Sequence, residues 1–230
     1  IPDAKWTLAR QAGIDYAITK AAPELTGLQP IWDFATLAGI HARFREAGFQ
    51  LLAIEGDEFD MSRIKLGLPG RDEDIERYCA MLRNMGRLEI PVLCYNFMAG
   101  VGWFRSRVDI PARGGALTNG YFPADIPAAA LRLSHEQLWD NYAYFMRAVM
   151  PVAEAAGVRM GLHPDDPPVP ALKGYPRIMI SAAAFRRAKA LAASPAWGIT
   201  FCQGSFLSMG EDLLALIPEF KDDIVFVHAR

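Results

Sequence analysis

SHEQLWDNYAYFMRAVMPVAEAAGVRMGLH, residues 134–163, holds one helix and one strand separated by a glycine. Ser134 and Gln137 form the pair of a capping box, each side chain serving the other's backbone N–H, so a helix opens here. Leu138, Tyr142, Phe145 and Val149 fall at i, i+4, i+7 and i+11, which is one inward face. Pro151 lacks an N–H and is expected to kink or end that helix. Gly157 supplies the left-handed stop. Val158–His163 is then apolar nearly throughout, as a parallel strand covered on both faces should be.

Working outward, the same unit recurs. Strand-type runs occupy Ile14–Thr19, Phe49–Glu55, Ile90–Phe97, Gly198–Cys202 and Ile224–His228, and Gly13 and Gly48 precede two of them as Gly157 does here. From Asp72, the residues Ile75, Tyr78, Cys79, Leu82 and Met85 mark another helical face. Strand–helix alternation means a parallel α/β sheet, either doubly wound or closed into a barrel. The expected fold is a (β/α)8 TIM barrel, a single domain over residues 1–230 that lacks the first strand and the last element or elements. A complete doubly wound sheet is the alternative. Met98–Leu133 and Pro164–Arg177, rich in Gly and Pro, both follow strands, which puts them on the carboxyl side of the sheet where ligands bind.

The 24 Lys+Arg against 26 Asp+Glu give a charge of −2, which argues against a basic nucleic-acid surface. No uncharged run approaches the roughly 20 residues of a membrane helix, and no leader-type segment is evident at Ile1. Cys79, Cys94 and Cys202 are odd in number with no CxxC spacing, so reduced thiols and the cytoplasm are expected.

Three side chains able to bind a metal close three consecutive strands: His163, Cys202 and His228. The gaps, 202 − 163 = 39 and 228 − 202 = 26 residues, are each about one β-α unit, so the three can meet at one barrel mouth. Two imidazoles and a thiolate leave coordination positions for water or substrate, as a catalytic site requires. Glu55, closing its own strand, is a candidate base or ligand. Asp165 and Asp166 either shape a turn before Pro167 or support an imidazole. Arg177 has the fork geometry that clamps a carboxylate. His41 and His135 are expected on a solvated face and in the capping box. Neither GxGxxG nor GxxxxGK[ST] occurs.

Taken in order, Ile64-Lys65-Leu66-Gly67-Leu68-Pro69-Gly70-Arg71-Asp72, Cys94-Tyr95-Asn96-Phe97-Met98 with Trp103 and Arg105, His163-Pro164-Asp165-Asp166-Pro167-Pro168, Pro176-Arg177-Ile178, Phe201-Cys202-Gln203-Gly204-Ser205 and Phe226-Val227-His228-Ala229-Arg230 resemble the mannonate dehydratases of the xylose-isomerase-like barrel group. The resemblance implies a lyase that removes water from an aldonic acid, D-mannonate by analogy, giving a 2-keto-3-deoxy acid. It implies a divalent ion on His163, Cys202 and His228, usually Mn²⁺. A Cys donor by itself leans toward Fe²⁺, Co²⁺ or Zn²⁺. Tyr95, Asn96, Trp103, Arg105 and Arg177 are the expected substrate contacts. The fourth ligand and the proton-transfer groups of the family correspond to positions past Arg230. The partner is a small sugar acid, not nucleic acid or a membrane, with self-association left open.

Three departures from the family pattern accompany the matches. Thr19-Lys20-Ala21-Ala22 stands where the family usually has a His, Gly102 where it has an Asp, and Val108–Leu133 is shorter than its counterpart. A sugar isomerase or epimerase on the same barrel, or a non-catalytic sugar-acid binding protein, are the alternatives to the dehydratase.

Overall fold

The structure, a computed structural model, describes residues 3–21, 23–56 and 59–229. Ala22 and Arg230, the last residues of two of the stretches quoted above, lie outside them. Six parallel strands form one sheet: β1 (Tyr16–Thr19), β2 (Gln50–Glu55), β3 (Val92–Tyr95), β4 (Arg159–Leu162), β5 (Trp197–Cys202) and β6 (Ile224–His228). Each falls in one of the runs read from the sequence. They are hydrogen-bonded in chain order, β1 to β6. A doubly wound sheet reverses its order at a switch point, and this one does not, so that alternative is set aside.

The sheet is also strongly curled. In a flat sheet β2 and β6 would lie four strand spacings apart, roughly 19 Å. Yet Glu55 on β2 reaches His228 on β6, Oε1 to Nε2, at 3.1 Å. Only a barrel-like wall brings those two strand ends face to face.

Helices cover the outside: α1 (Ala4–Gln11), α2 (Phe34–Glu46), α3 (Ser62–Leu66), α4 (Arg71–Arg87), α5 (His135–Ala156), α6 (Ala182–Ala192), α7 (Gln203–Ser208) and α8 (Leu213–Phe220). The capping box of Ser134 and Gln137 is present. Pro151 does not end α5, which runs on to Ala156. Its ring is exposed, and a proline on the solvent side of a helix costs one backbone bond without disturbing the packed face. Leu138, Tyr142, Phe145 and Val149 are fully buried, as are Leu82 and Met85 of α4. The Trp197 indole N–H donates to the Tyr142 hydroxyl at 2.9 Å, and the hydroxyls of Tyr142 and Tyr95 lie 3.2 Å apart. This chain of buried polar groups ties β5, α5 and β3 together.

Two glycines sit side by side within the sheet, Gly161 of β4 opposite Gly198 of β5. A Cβ at Gly161 would lie 2.8 Å from a methyl of Val225, and one at Gly198 only 2.6 Å from the other. Val225 of β6 therefore fills a notch that exists only because both positions lack side chains. The strands at the two sides differ from the rest: β5 is buried along its whole length, whereas Tyr16 and Ile18 of β1 and Val227 of β6 are exposed.

Candidate metal centre

His163, Cys202 and His228 end or directly follow β4, β5 and β6, and their donor atoms all lie within 4.8 Å of one another. The β5–β6 register sets Cys202 beside His228. Tautomers follow from the outer contacts. His163 Nδ1 lies 2.6 Å from the Pro164 carbonyl, which can only accept, so Nδ1 carries a proton and Nε2 is the inward nitrogen, a donor to its neighbours when the ring is protonated and a lone pair when it is not. The Glu55 carboxylate does the same for His228 Nε2, leaving Nδ1 as that ring's lone pair. Those two inward nitrogens face each other at 3.2 Å. Such an arrangement repels unless a proton or a cation stands between them.

The thiol completes the set. Burial pushes the Cys202 thiol up, but hydrogen bonds from His163 and Ser205 outweigh it and bring its pKa down to about 5. The Ser205 hydroxyl donates to Sγ at 3.2 Å from one turn into α7. Burial lowers the His163 pKa, while the adjacent thiolate and the Pro164 carbonyl outweigh that and hold it above the ordinary value. Burial instead pushes the thiols of Cys79 and Cys94 up to about 11 and about 12, in Cys94 against the opposing hydrogen bond of the Thr200 side chain. A ready thiolate and two inward nitrogens fit a divalent ion with both outer imidazole nitrogens already anchored.

Two expectations arise from this geometry. Binding of a divalent ion is expected to displace the proton that His163 holds to higher pH than an ordinary imidazole, while the Cys202 thiol, brought down to about 5, contributes none near pH 7. Affinity should accordingly rise with pH through the His163 pKa and level off above it. Calorimetry in two buffers of different ionisation enthalpy measures this, and release of two protons would mean a protonated thiol. Glu55→Ala, which frees the His228 ring, is expected to weaken the ion about 10- to 100-fold, read by competition with a chelating dye.

A cleft of about 390 Å³ opens beside this cluster, walled by Lys20, Glu55, Gly56, Cys94, Tyr95, Asn96, Met98, Gly102, Trp103, His163 and His228. That is within the range of small-molecule sites. Asn96 and Trp103 thus stand at the cleft. The Asn96 Oδ1 accepts from the buried Lys65 ammonium and from the Met98 N–H, both at 3.0 Å, which fixes the carboxamide's orientation. Tyr95 lines the wall, but its hydroxyl is turned into the core toward Tyr142.

Arg105 and Arg177 are not in the cleft wall, and each is committed elsewhere. Arg105 makes a bidentate pair with Asp166, at 2.6 and 3.0 Å, beneath the Trp103 ring. Arg177 is buried and donates through Nη2 to the carbonyls of Val101 and Gly102. Asp165, also buried, accepts from the N–H groups of Ile178 and Met179, so it supports the loop and not an imidazole. Together these contacts lash the loop after β3 to the loop after β4. Sequence reasoning missed Lys65 and Ser205. The spacing Cys202-x-x-Ser205 at a helix start was the available sign of the second, while nothing local distinguishes Lys65 from an exposed lysine.

A family model described as D-mannonate dehydratase matches residues 7–130 and 127–230, nearly the whole chain. The chain belongs to the D-mannonate dehydratase family. A mannonate dehydratase from Streptococcus equi subsp. zooepidemicus is 34% identical over 86% of this chain and 63% of its own length, and one from Shouchella clausii is 33% identical over 87% and 65%. The chain thus spans less than two thirds of these relatives. The crystal structure of mannonate dehydratase from Streptococcus suis superposes with a TM-score of 0.87 at 32% identity, covering all of this chain and 68% of that one. At 13% identity and a TM-score of 0.61, D-psicose 3-epimerase from Clostridium cellulolyticum shares the fold over 99% of this chain and 68% of its own.

Proposed function

We propose that this protein is a hydro-lyase that converts D-mannonate to 2-keto-3-deoxy-D-gluconate. The observation that carries the reading is the pair of imidazole nitrogens facing each other at 3.2 Å beside the Cys202 sulfur, at the mouth of a cleft of small-molecule size. His163, Cys202 and His228 hold a divalent ion, Mn²⁺ by family resemblance. The difficulty of the reaction is a weakly acidic proton α to a carboxylate, and a bound divalent ion supplies Lewis-acid stabilisation of developing negative charge there. Asn96, its oxygen fixed by Lys65 and Met98, stands in the cleft wall as a polar contact for the sugar acid, and the half-exposed Trp103 ring offers an apolar face to the sugar's C–H groups. Glu55 keeps the His228 ring in register.

In this reading the six strands are part of an eight-stranded barrel, one domain, whose missing strands pair along β1 and β6. The exposed apolar residues Tyr16, Ile18 and Val227 on those two strands support it, since bare apolar edges are a liability that folds cover. The fourth ligand and the proton-transfer groups belong to that remainder. No helix of the described residues is long and apolar enough to cross a membrane. Among the described residues Cys79, Cys94 and Cys202 form no disulfide, which supports a cytoplasmic place.

The full-length protein incubated with D-mannonate, with and without Mn²⁺, is expected to form 2-keto acid only with the ion. Metal-bound protein that yields none overturns the reading. Exchange of a carbon-bound proton in D₂O without keto acid would identify an epimerase or isomerase instead.

A further inference from the structure

We infer that Lys20 is the counter-charge for the substrate's carboxylate, a role that rests on the reading above that the cleft takes an aldonate. Lys20 directly follows β1, and pairing of Thr19 with Ile54 sets it level with Glu55 at the cleft mouth. Among the described residues that wall the cleft it is the one Lys or Arg. The guanidiniums on the neighbouring loops cannot serve. Arg105 is spent on Asp166, and Arg177 is buried under the carbonyls of Val101 and Gly102. Glu55 in turn is engaged by His228, and among the described residues no carboxylate lies within ion-pairing distance of Lys20.

An aldonate carries one fixed negative charge, and the rest of it is a hydroxylated chain. The divalent charge at His163, Cys202 and His228 is already faced by the Cys202 thiolate and the Glu55 carboxylate, so a carboxylate entering a partly desolvated cleft needs a further positive charge or loses its hydration without return. An ammonium on a flexible stem meets it as a point charge, with no demand for bidentate geometry. The placement also gives the substrate a direction: acid end toward β1, hydroxylated chain toward Asn96 and Trp103. Lys20 thereby selects acids over the matching alditol.

The test is calorimetric binding of D-mannonate and of D-mannitol, the same carbon chain with an alcohol in place of the acid, to the full-length protein. Wild type is expected to prefer mannonate. Lys20→Met is expected to weaken mannonate about tenfold, the worth of one charge-assisted hydrogen bond, and to leave mannitol unchanged. Lys20→Arg should recover most of the loss. Unchanged mannonate binding in Lys20→Met, equal loss for both ligands, or a wild type that does not prefer mannonate overturns the assignment. Turnover separates this from the lyase reading. Lys20-dependent binding with no keto acid formed sinks the lyase and keeps the carboxylate site. Keto acid formed at wild-type KM by Lys20→Met does the reverse.

Discussion

Cys202→Ser is expected to lose its divalent ion on dialysis, with affinity down by more than about a hundredfold and turnover down with it. Losing an outer partner of a ligand costs up to about that much, and Cys202 is itself a donor. Serine keeps the position of the side chain but not its charge, because a hydroxyl does not ionise where the thiol, at about 5, already has. The natural control is Cys94→Ser. Cys94 also lines the cleft, yet its thiol is held protonated by burial, pushed up to about 12, so that variant should keep its metal. Full occupancy in Cys202→Ser, measured by elemental analysis, would remove Cys202 from the ligand set.

Arg177→Met should lower the melting temperature by roughly 6–12 °C. Its charge is the main favourable influence on the buried Asp165 carboxylate, which burial otherwise pushes toward protonation. Leaving a buried carboxylate without the favourable charge that faces it costs about 3 kcal/mol, and a domain of this size loses roughly 2–4 °C per kcal/mol. The sign with pH is informative. In the variant the folded state holds the Asp165 proton to higher pH than the unfolded chain does, so stability falls as pH rises above the ordinary carboxylate range. The deficit should therefore be larger at pH 8 than at pH 5, and adding Asp165→Asn should recover much of it. A pH-independent deficit would mean that Arg177 acts only through the carbonyls of Val101 and Gly102.

What the sequence makes legible follows from how local the signal is. A strand covered on both faces must be apolar along its length, so β5 could be read directly. The meeting of His163, Cys202 and His228 could be read because each closes such a strand, and neighbouring parallel strands end at one mouth. The Glu55–His228 contact could not, since it depends on how tightly the whole sheet curls. Arg105 and Arg177 mark a different limit. A guanidinium on a loop presents the same fork to a neighbour's carboxylate or carbonyl as to a substrate, and the difference lies in tertiary packing alone. Pro151 was likewise ambiguous, because its cost depends on whether it faces the core or water.

The notch at Gly161 and Gly198 works as a seat, with Val225 as the shim that sets its depth. A methyl group at either glycine would lift β6 outward, and His228, three residues further along that strand, would be carried off with it. The spacing of the two imidazoles is thus machined one storey below them, by contacts that touch neither ring. The storey above, where Lys20, Gly102 and Trp103 stand, is free of that constraint. Such a division lets the upper wall be re-cut for a different acid while the ion's seat keeps its dimensions.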